Sequence, residues 1–166
     1  YIDKDDFKNF LNSNKLNKNI KVVFHQGACS STTEWDGKYV MKNNFEYSKK
    51  ILHWSQENNI QFINASSASV YGLGLNGFKE ERDYEIPINM YAFSKFQFDQ
   101  YLRKIKKNSS QVVSLRYFNV YGPNESHKGD MISMPFKFNE QIIKEGKCKL
   151  FEGNSPVSYT HLRAHE

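Results

Sequence analysis

The 166 residues are 39% apolar and 15% aromatic, enough for one domain with a real core, and a mean hydropathy of −0.72 argues against a chain that resides in lipid. The net charge of +5 comes from 19 Lys and 4 Arg scattered among 17 Asn, without a basic stripe interleaved with aromatics, so a solvated surface is expected rather than a nucleic-acid partner. No apolar run approaches the roughly 18 residues of a spanning helix, and no signal peptide is visible, so no membrane partner is expected.

Residues 1–19 hold a short amphipathic segment with Phe7, Phe10 and Leu11, followed by a polar Asn/Ser/Lys loop. Ile20 to His25 is a β-type run that breaks at Gly27, and the small residues of Gln26-Gly27-Ala28-Cys29-Ser30 allow close approach to the backbone. By composition alone this is a tight strand-to-helix turn. A helical pattern runs from Glu34 to Asn59 with Gly37 and the pair Asn43-Asn44 inside it. Asparagine disfavours a helix interior, so Asn43 is either an exposed concession or a residue that faces a ligand.

Ile60 to Ala65 is the next strand, and it delivers Ser66-Ser67 at its C-terminal end, where open α/β sheets bind ligands. Residues 72–88 form a long connection with Gly72, Gly74, Gly77 and Pro87, of a length that suggests a substrate-side lid. A helix then extends from Tyr91 to about Lys107, a strand from Val112 to Phe118, a helix from Met131 to Glu145, and a short extended piece from Lys149 to Phe151. This alternation predicts an α/β fold with a mostly parallel sheet. Cys29 and Cys148 stand alone, with no C-x-x-C pair, as free thiols do in a reducing compartment, here the cytoplasm. His161 and His165 lack a third ligand, so no metal site is assigned.

The chemistry centres on Tyr91 and Lys95, four residues apart and therefore on one face of a helix. An ammonium beside a phenol favours the phenolate, so the expectation is a Tyr91 pKa below its ordinary value near 10 and proton exchange with a substrate hydroxyl. Ser67 is placed to hydrogen-bond the same oxygen.

Pro87-x-Asn89-x-Tyr91-x-x-Ser94-Lys95, following Ala65-Ser66-Ser67-Ala68-Ser69-Val70-Tyr71-Gly72, resembles the extended short-chain dehydrogenase/reductase family. The resemblance implies a Rossmann-like, doubly wound parallel sheet and a Ser, Tyr and Lys acting together on a sugar-nucleotide hydroxyl beside a nicotinamide ring. Gly27 to Gly37, Arg116 to Pro123 and His127-Lys128-Gly129 narrow the resemblance to the ADP-glycero-manno-heptose 6-epimerase family, nearly without break from Tyr1 to Asn154.

That resemblance implies Ser67, Tyr91, Lys95 and Lys128 as catalytic residues, with Lys128 a second acid/base across the site from the tyrosine. It implies Gln26, Gly27, Ala28, Cys29, Ser30, Asn43, Lys95, Val120 and Lys128 on the NADP side, with NAD as the alternative cofactor. On the ADP-heptose side it implies Ser67, Asn119, Asp130, Lys137, Phe151, Glu152, Gly153 and Asn154, although the family pattern often has Ser and His where Asp130 and Lys137 stand. The whole protein is expected to be a homo-oligomer.

Inverting C6 of the heptose requires temporary oxidation to a ketone, rotation of the exocyclic arm and return of the hydride to the other face. The hydroxyl oxygen then lies in two places in turn, which explains two bases. A 4,6-dehydratase needs an acid/base pair just after the serine, where Ala68 and Ser69 stand; a 4-epimerase would share the same serine, tyrosine and lysine and stays open. No glycine-rich phosphate loop is present, and the resemblance stops at Asn154. The expectation is therefore a truncated epimerase domain over 1–154, without the C-terminal substrate domain, a non-native tail over 155–166, and no activity from these residues alone.

Overall fold

The computed structural model describes residues 2–11, 19–106 and 108–148, the side chains of Lys8, Asp130 and Met131 excepted. Three short strands of β-branched and aromatic residues, β1 (Val22–His25), β2 (Gln61–Ser67) and β3 (Val112–Tyr117), pair in parallel in the order β1-β2-β3. Val23 pairs with Phe62 and Phe62 with Val112, which puts Val23, His25, Phe62, Asn64, Ser66, Val112, Ser114 and Arg116 on one face of the sheet. Parallel neighbours need crossovers, and helices supply them.

The first helix, α1 (Lys4–Leu11), matches the amphipathic segment and buries Leu11. The crossover from β1 to β2 is a rod in three parts: α2 (Gly37–Met41), a π-helical turn (Lys42–Glu46) and α3 (Tyr47–Glu57). Asp36 starts it by accepting from the Tyr39 amide at 2.9 Å, later than the Glu34 expected. The π turn falls on the Asn43-Asn44 pair, where asparagine weakens α-helical continuity, and it re-aims those two side chains.

The second crossover is α4 (Met90–Lys104). Asn89 caps it, its side-chain oxygen accepting from the Ala92 amide at 2.7 Å, so Tyr91 lies in the first turn. Both α3 and α4 pack on the Phe62 face, where Leu11, Ile51, Leu52, Phe62 and Phe98 form the core. Phe62 and Phe98 meet edge to face at 6.4 Å. The opposite face leaves Phe24 66%, Leu115 40% and Tyr117 40% exposed. After β3, a 3₁₀ segment (Ser126–Met131) leads to α5 (Met134–Glu145), capped by Ser133 and ended by the left-handed Gly146. The extended piece expected over 149–151 lies outside the described residues.

The connection 72–88 departs from the expected lid. Glu85, buried to 1%, accepts from Arg103, Gln100 and Arg116, tying the loop to α4 and β3. Gly72 at φ 59° lets the chain pass beneath Ile86, where a Cβ would lie 2.0 Å from the carbonyl oxygen. Among the described residues, none from 72–88 lines the cavity at the sheet edge.

Candidate active site

At the C-terminal edge of the parallel strands lies an open cavity of about 800 Å³, within the range of small-molecule sites. Each strand exit contributes: Gln26, Gly27 and Ala28 after β1, Ser67 at the end of β2 with Ser69 just beyond it, and Tyr117 at the end of β3 with Phe118 to Val120 after it. Tyr91 and Lys95 enter from α4, and Lys128 from the 3₁₀ segment. Gly129, at φ 57°, makes the kink that follows Lys128.

Strand alternation separates the serine pair. Ser66 faces α4 and donates to Asp99 at 3.0 Å, a buried structural bond. Ser67 faces the cavity that Tyr91 also lines, and it caps the 3₁₀ turn Ala68–Tyr71.

The Lys95 ammonium lies over the Tyr91 ring, 5.9 Å from its centre, and donates to the Ala65 carbonyl at 2.7 Å. Burial pulls the Lys95 pKa down to about 8, against the pull of Asp99. The expected lowering of Tyr91 is corrected here: burial pushes its phenol above the ordinary value, the Ser67 hydroxyl opposes that, and Cys29 adds a further upward push. The ammonium is committed to a carbonyl and itself desolvated, so it does not win against burial of the phenol.

Asn43 does not reach the cavity lining. Its amide donates to the Tyr39 carbonyl at 2.8 Å and its oxygen accepts from Lys4 at 2.9 Å. The neighbouring Asn44 is the one turned inward, 1% exposed. It accepts from the Cys29 amide at 2.8 Å and donates to the Cys29 carbonyl at 3.0 Å and to Ser94 Oγ at 2.9 Å. Ser94 in turn donates to the Tyr91 carbonyl at 2.6 Å. One asparagine therefore joins the Gln26–Ser30 turn to the helix that carries the tyrosine. Sequence reading raised the Asn doublet but not which member is buried; the π turn decides that.

Lys128 pairs with Glu125 at 3.2 Å and stays 34% exposed. Glu125 accepts from the Ser133 and Gly122 amides, bonds that hold its carboxyl down to about 2. Cys29 and Lys137 lie outside the cavity lining, and the backbone of Asp130 belongs to the 3₁₀ segment. Phe151, Glu152, Gly153 and Asn154 fall outside the described residues. Residues not singled out by the sequence include Thr32, whose buried hydroxyl is without a hydrogen-bond partner among the described residues, and Ser69.

The sheet edge and its side chains match a known pattern. The model of the NAD dependent epimerase/dehydratase family covers residues 3–163. The chain belongs to that family. It is 54% identical over 158 residues to a Brachyspira hyodysenteriae protein named ADP-L-glycero-D-manno-heptose-6-epimerase, covering 93% of this chain and 50% of that protein. An Alkalilimnicola ehrlichii protein of the same name is 52% identical over 155 residues, covering 93% and 48%. The crystal structure of the Helicobacter pylori protein of that name superposes with a TM-score of 0.72 at 36% identity, covering 80% of this chain and 42% of that one. The chain therefore has the Rossmann-like epimerase fold, a parallel sheet with helices, and spans about half the length of the curated relatives it matches.

Proposed function

We propose that this family member is the catalytic part of an ADP-glycero-manno-heptose 6-epimerase, inverting C6 of ADP-heptose through a transient ketone, in the cytoplasm, toward lipopolysaccharide core precursors. The observation that carries the reading is the cavity at the C-terminal sheet edge, which gathers Ser67, Tyr91, Lys95 and Lys128 from three separate elements. The names of the two bacterial relatives supply the substrate.

NADP is the proposed cofactor, with NAD the alternative, and the residues fit a nicotinamide. A Cβ at Gly27 would meet nothing within 4 Å, so the turn offers bare backbone to a ligand. Gln26 to Ser30, Val120, Lys95 and Lys128 would hold the cofactor, and Asn43 would join them on giving up the Tyr39 carbonyl. When bound, it supplies hydride transfer to and from C6.

The side chains account for the proton work. Burial favours the protonated form of Tyr91, which donates to a ketone oxygen becoming an alcohol; in the oxidising direction its phenolate takes the proton of the substrate hydroxyl. Ser67 and the Lys95 cation offset the negative charge left on its oxygen. Lys128 serves the oxygen in its second position after the exocyclic arm rotates, with Glu125 fixing its ammonium. Asn119 at the cavity edge, together with Asp130, Lys137 and Phe151 to Asn154, is proposed to hold the sugar nucleotide.

The test uses the protein from the complete reading frame that contains this chain. Tyr91→Phe and Lys128→Met should each lose at least about a hundredfold in C6 inversion. Each should still dismutate an analogue with an aldehyde at C6, because one remaining base serves a single face. A Lys128→Met protein with full inversion would remove the two-base reading. Inversion at C4 instead of C6, read by NMR of the product, would move the protein to the 4-epimerases.

A further inference from the structure

We propose that Ser69 is a positioning residue for this reaction, its hydroxyl turning the Ser67 hydroxyl into a donor aimed at the Tyr91 oxygen. The inference rests on the proposed role of Tyr91 as an acid/base.

Ser67 ends β2 in extended backbone, φ −146° and ψ 145°, and the chain turns at once into the 3₁₀ segment. That turn brings both polar groups of Ser69 back onto one atom. The Ser69 amide donates to Ser67 Oγ at 3.2 Å, and the Ser69 hydroxyl donates to the same oxygen at 2.9 Å. A serine hydroxyl has two acceptor lone pairs and one hydrogen. Ser69 fills both lone pairs. The Ser67 hydrogen is then free to turn toward Tyr91, which lines the same cavity.

The direction of that bond matters chemically. As a donor, Ser67 stabilises the phenolate; as an acceptor, it stabilises the protonated phenol. With the Ser69 hydroxyl removed, one lone pair opens and Ser67 accepts from Tyr91 as readily as it donates. Donation from Ser69 also polarises the Ser67 O–H, which strengthens it as a donor. Among the described residues, the other charged or titratable groups that act on the phenol or line its cavity are Lys95 on its own helix, Cys29 after β1, and Lys128 and Tyr117 on the cavity wall. None of these is touched by a change at Ser69. Alanine keeps the backbone amide bond, so Ser69→Ala removes one lone-pair donor and leaves the turn.

The experiment compares wild type, Ser69→Ala, Ser69→Thr and Tyr91→Phe in the protein from the complete reading frame, with ADP-heptose as substrate. Ser69→Ala should lower kcat about five- to tenfold with KM held within about twofold, as expected for one hydrogen bond made in the transition state. Its pH profile should move too, the limb that reports ionisation of Tyr91 shifting up by about half a unit to one unit. Ser69→Thr, which keeps the hydroxyl, should restore both. The ionisation of Tyr91, followed by NMR of ring-labelled tyrosine and assigned with Tyr91→Phe, should rise in Ser69→Ala without any need for turnover. An unshifted limb and an unshifted Tyr91 in Ser69→Ala, with Tyr91→Phe inactive, would overturn the role of Ser69 alone. A fully active Tyr91→Phe would overturn the reading beneath it.

Discussion

The Lys95 ammonium is held between two elements: its own helix sets it 5.9 Å from the centre of the Tyr91 ring, and the sheet anchors it through the Ala65 carbonyl at 2.7 Å. The slot is narrow, since Lys95 is only 5% exposed. A compact ammonium fits it and a planar guanidinium does not. In the protein from the complete reading frame, Lys95→Arg should therefore lose activity nearly as severely as Lys95→Met, by about a hundredfold or more. Steady-state turnover measures this, and a Lys95→Arg protein above half of wild-type activity would contradict it.

The asparagine doublet separates by function. Asn44→Ala breaks three hydrogen bonds in a buried place and leaves the Cys29 peptide unsatisfied. It should cost about 2–4 kcal/mol of stability. Asn43→Ala, on the exposed side of the same π turn, should stay within about 0.5 kcal/mol of wild type. Urea unfolding of the two variants side by side reads the difference, and equal losses would show that the inward asparagine is not the clamp.

Glu85 carries the tie between the 72–88 connection and the sheet. Its carboxylate faces Arg103 and Arg116, whose hydrogen bonds outweigh the effect of burial and hold it below the usual carboxylate range. Glu85→Ala leaves two guanidinium groups without their partner, one of them only 10% exposed. The expected loss is about 3–5 kcal/mol, measured by urea unfolding. A loss under about 1 kcal/mol would mean that Asp99 and Tyr71 satisfy Arg116 without it.

His25 and the lowered carboxylates contribute to the response to acid in separate windows. His25 is buried against Phe62. Ser48 gives its hydrogen to the Asn44 carbonyl, so the imidazole Nε2 must donate to the Ser48 hydroxyl. Burial, helped by Lys95, lowers its pKa from 6.5 to about 4. The unfolded chain therefore binds the proton first, and stability is full above pH 6.5 and falls toward pH 4, by roughly 3 kcal/mol in all. Glu125, lowered from 4.5 to about 2 by the Ser133 and Gly122 amides, contributes above pH 4.5 and is lost as pH falls through 2. His25→Gln should flatten the first slope and leave the second, as read from urea midpoints at successive pH values. A first slope that survives His25→Gln would assign it elsewhere.

Much of this was legible in local pattern. The three strands, the helix starting near Tyr91 that puts Tyr91 and Lys95 on one face, and the serine pair at a strand end follow from period-two and period-3.6 spacing. These are interactions among near neighbours in the chain, so a one-dimensional reading reaches them. The resemblance to the epimerases rests on the same contiguous stretches.

The tertiary structure decided what depends on which groups meet across the chain. Pairing of β2 with α4 made Ser66 a partner of Asp99 and left Ser67 to the cavity. The π turn, invisible in composition, chose Asn44 over Asn43. Glu85 converted an expected lid into an anchored strap, because Arg103 and Arg116 arrive from elements 18 and 31 residues away. The Tyr91 phenol shows the same limit most clearly. Sequence spacing supplied the Lys95 charge beside it, but desolvation depends on everything packed around the ring, and only the folded chain fixes that.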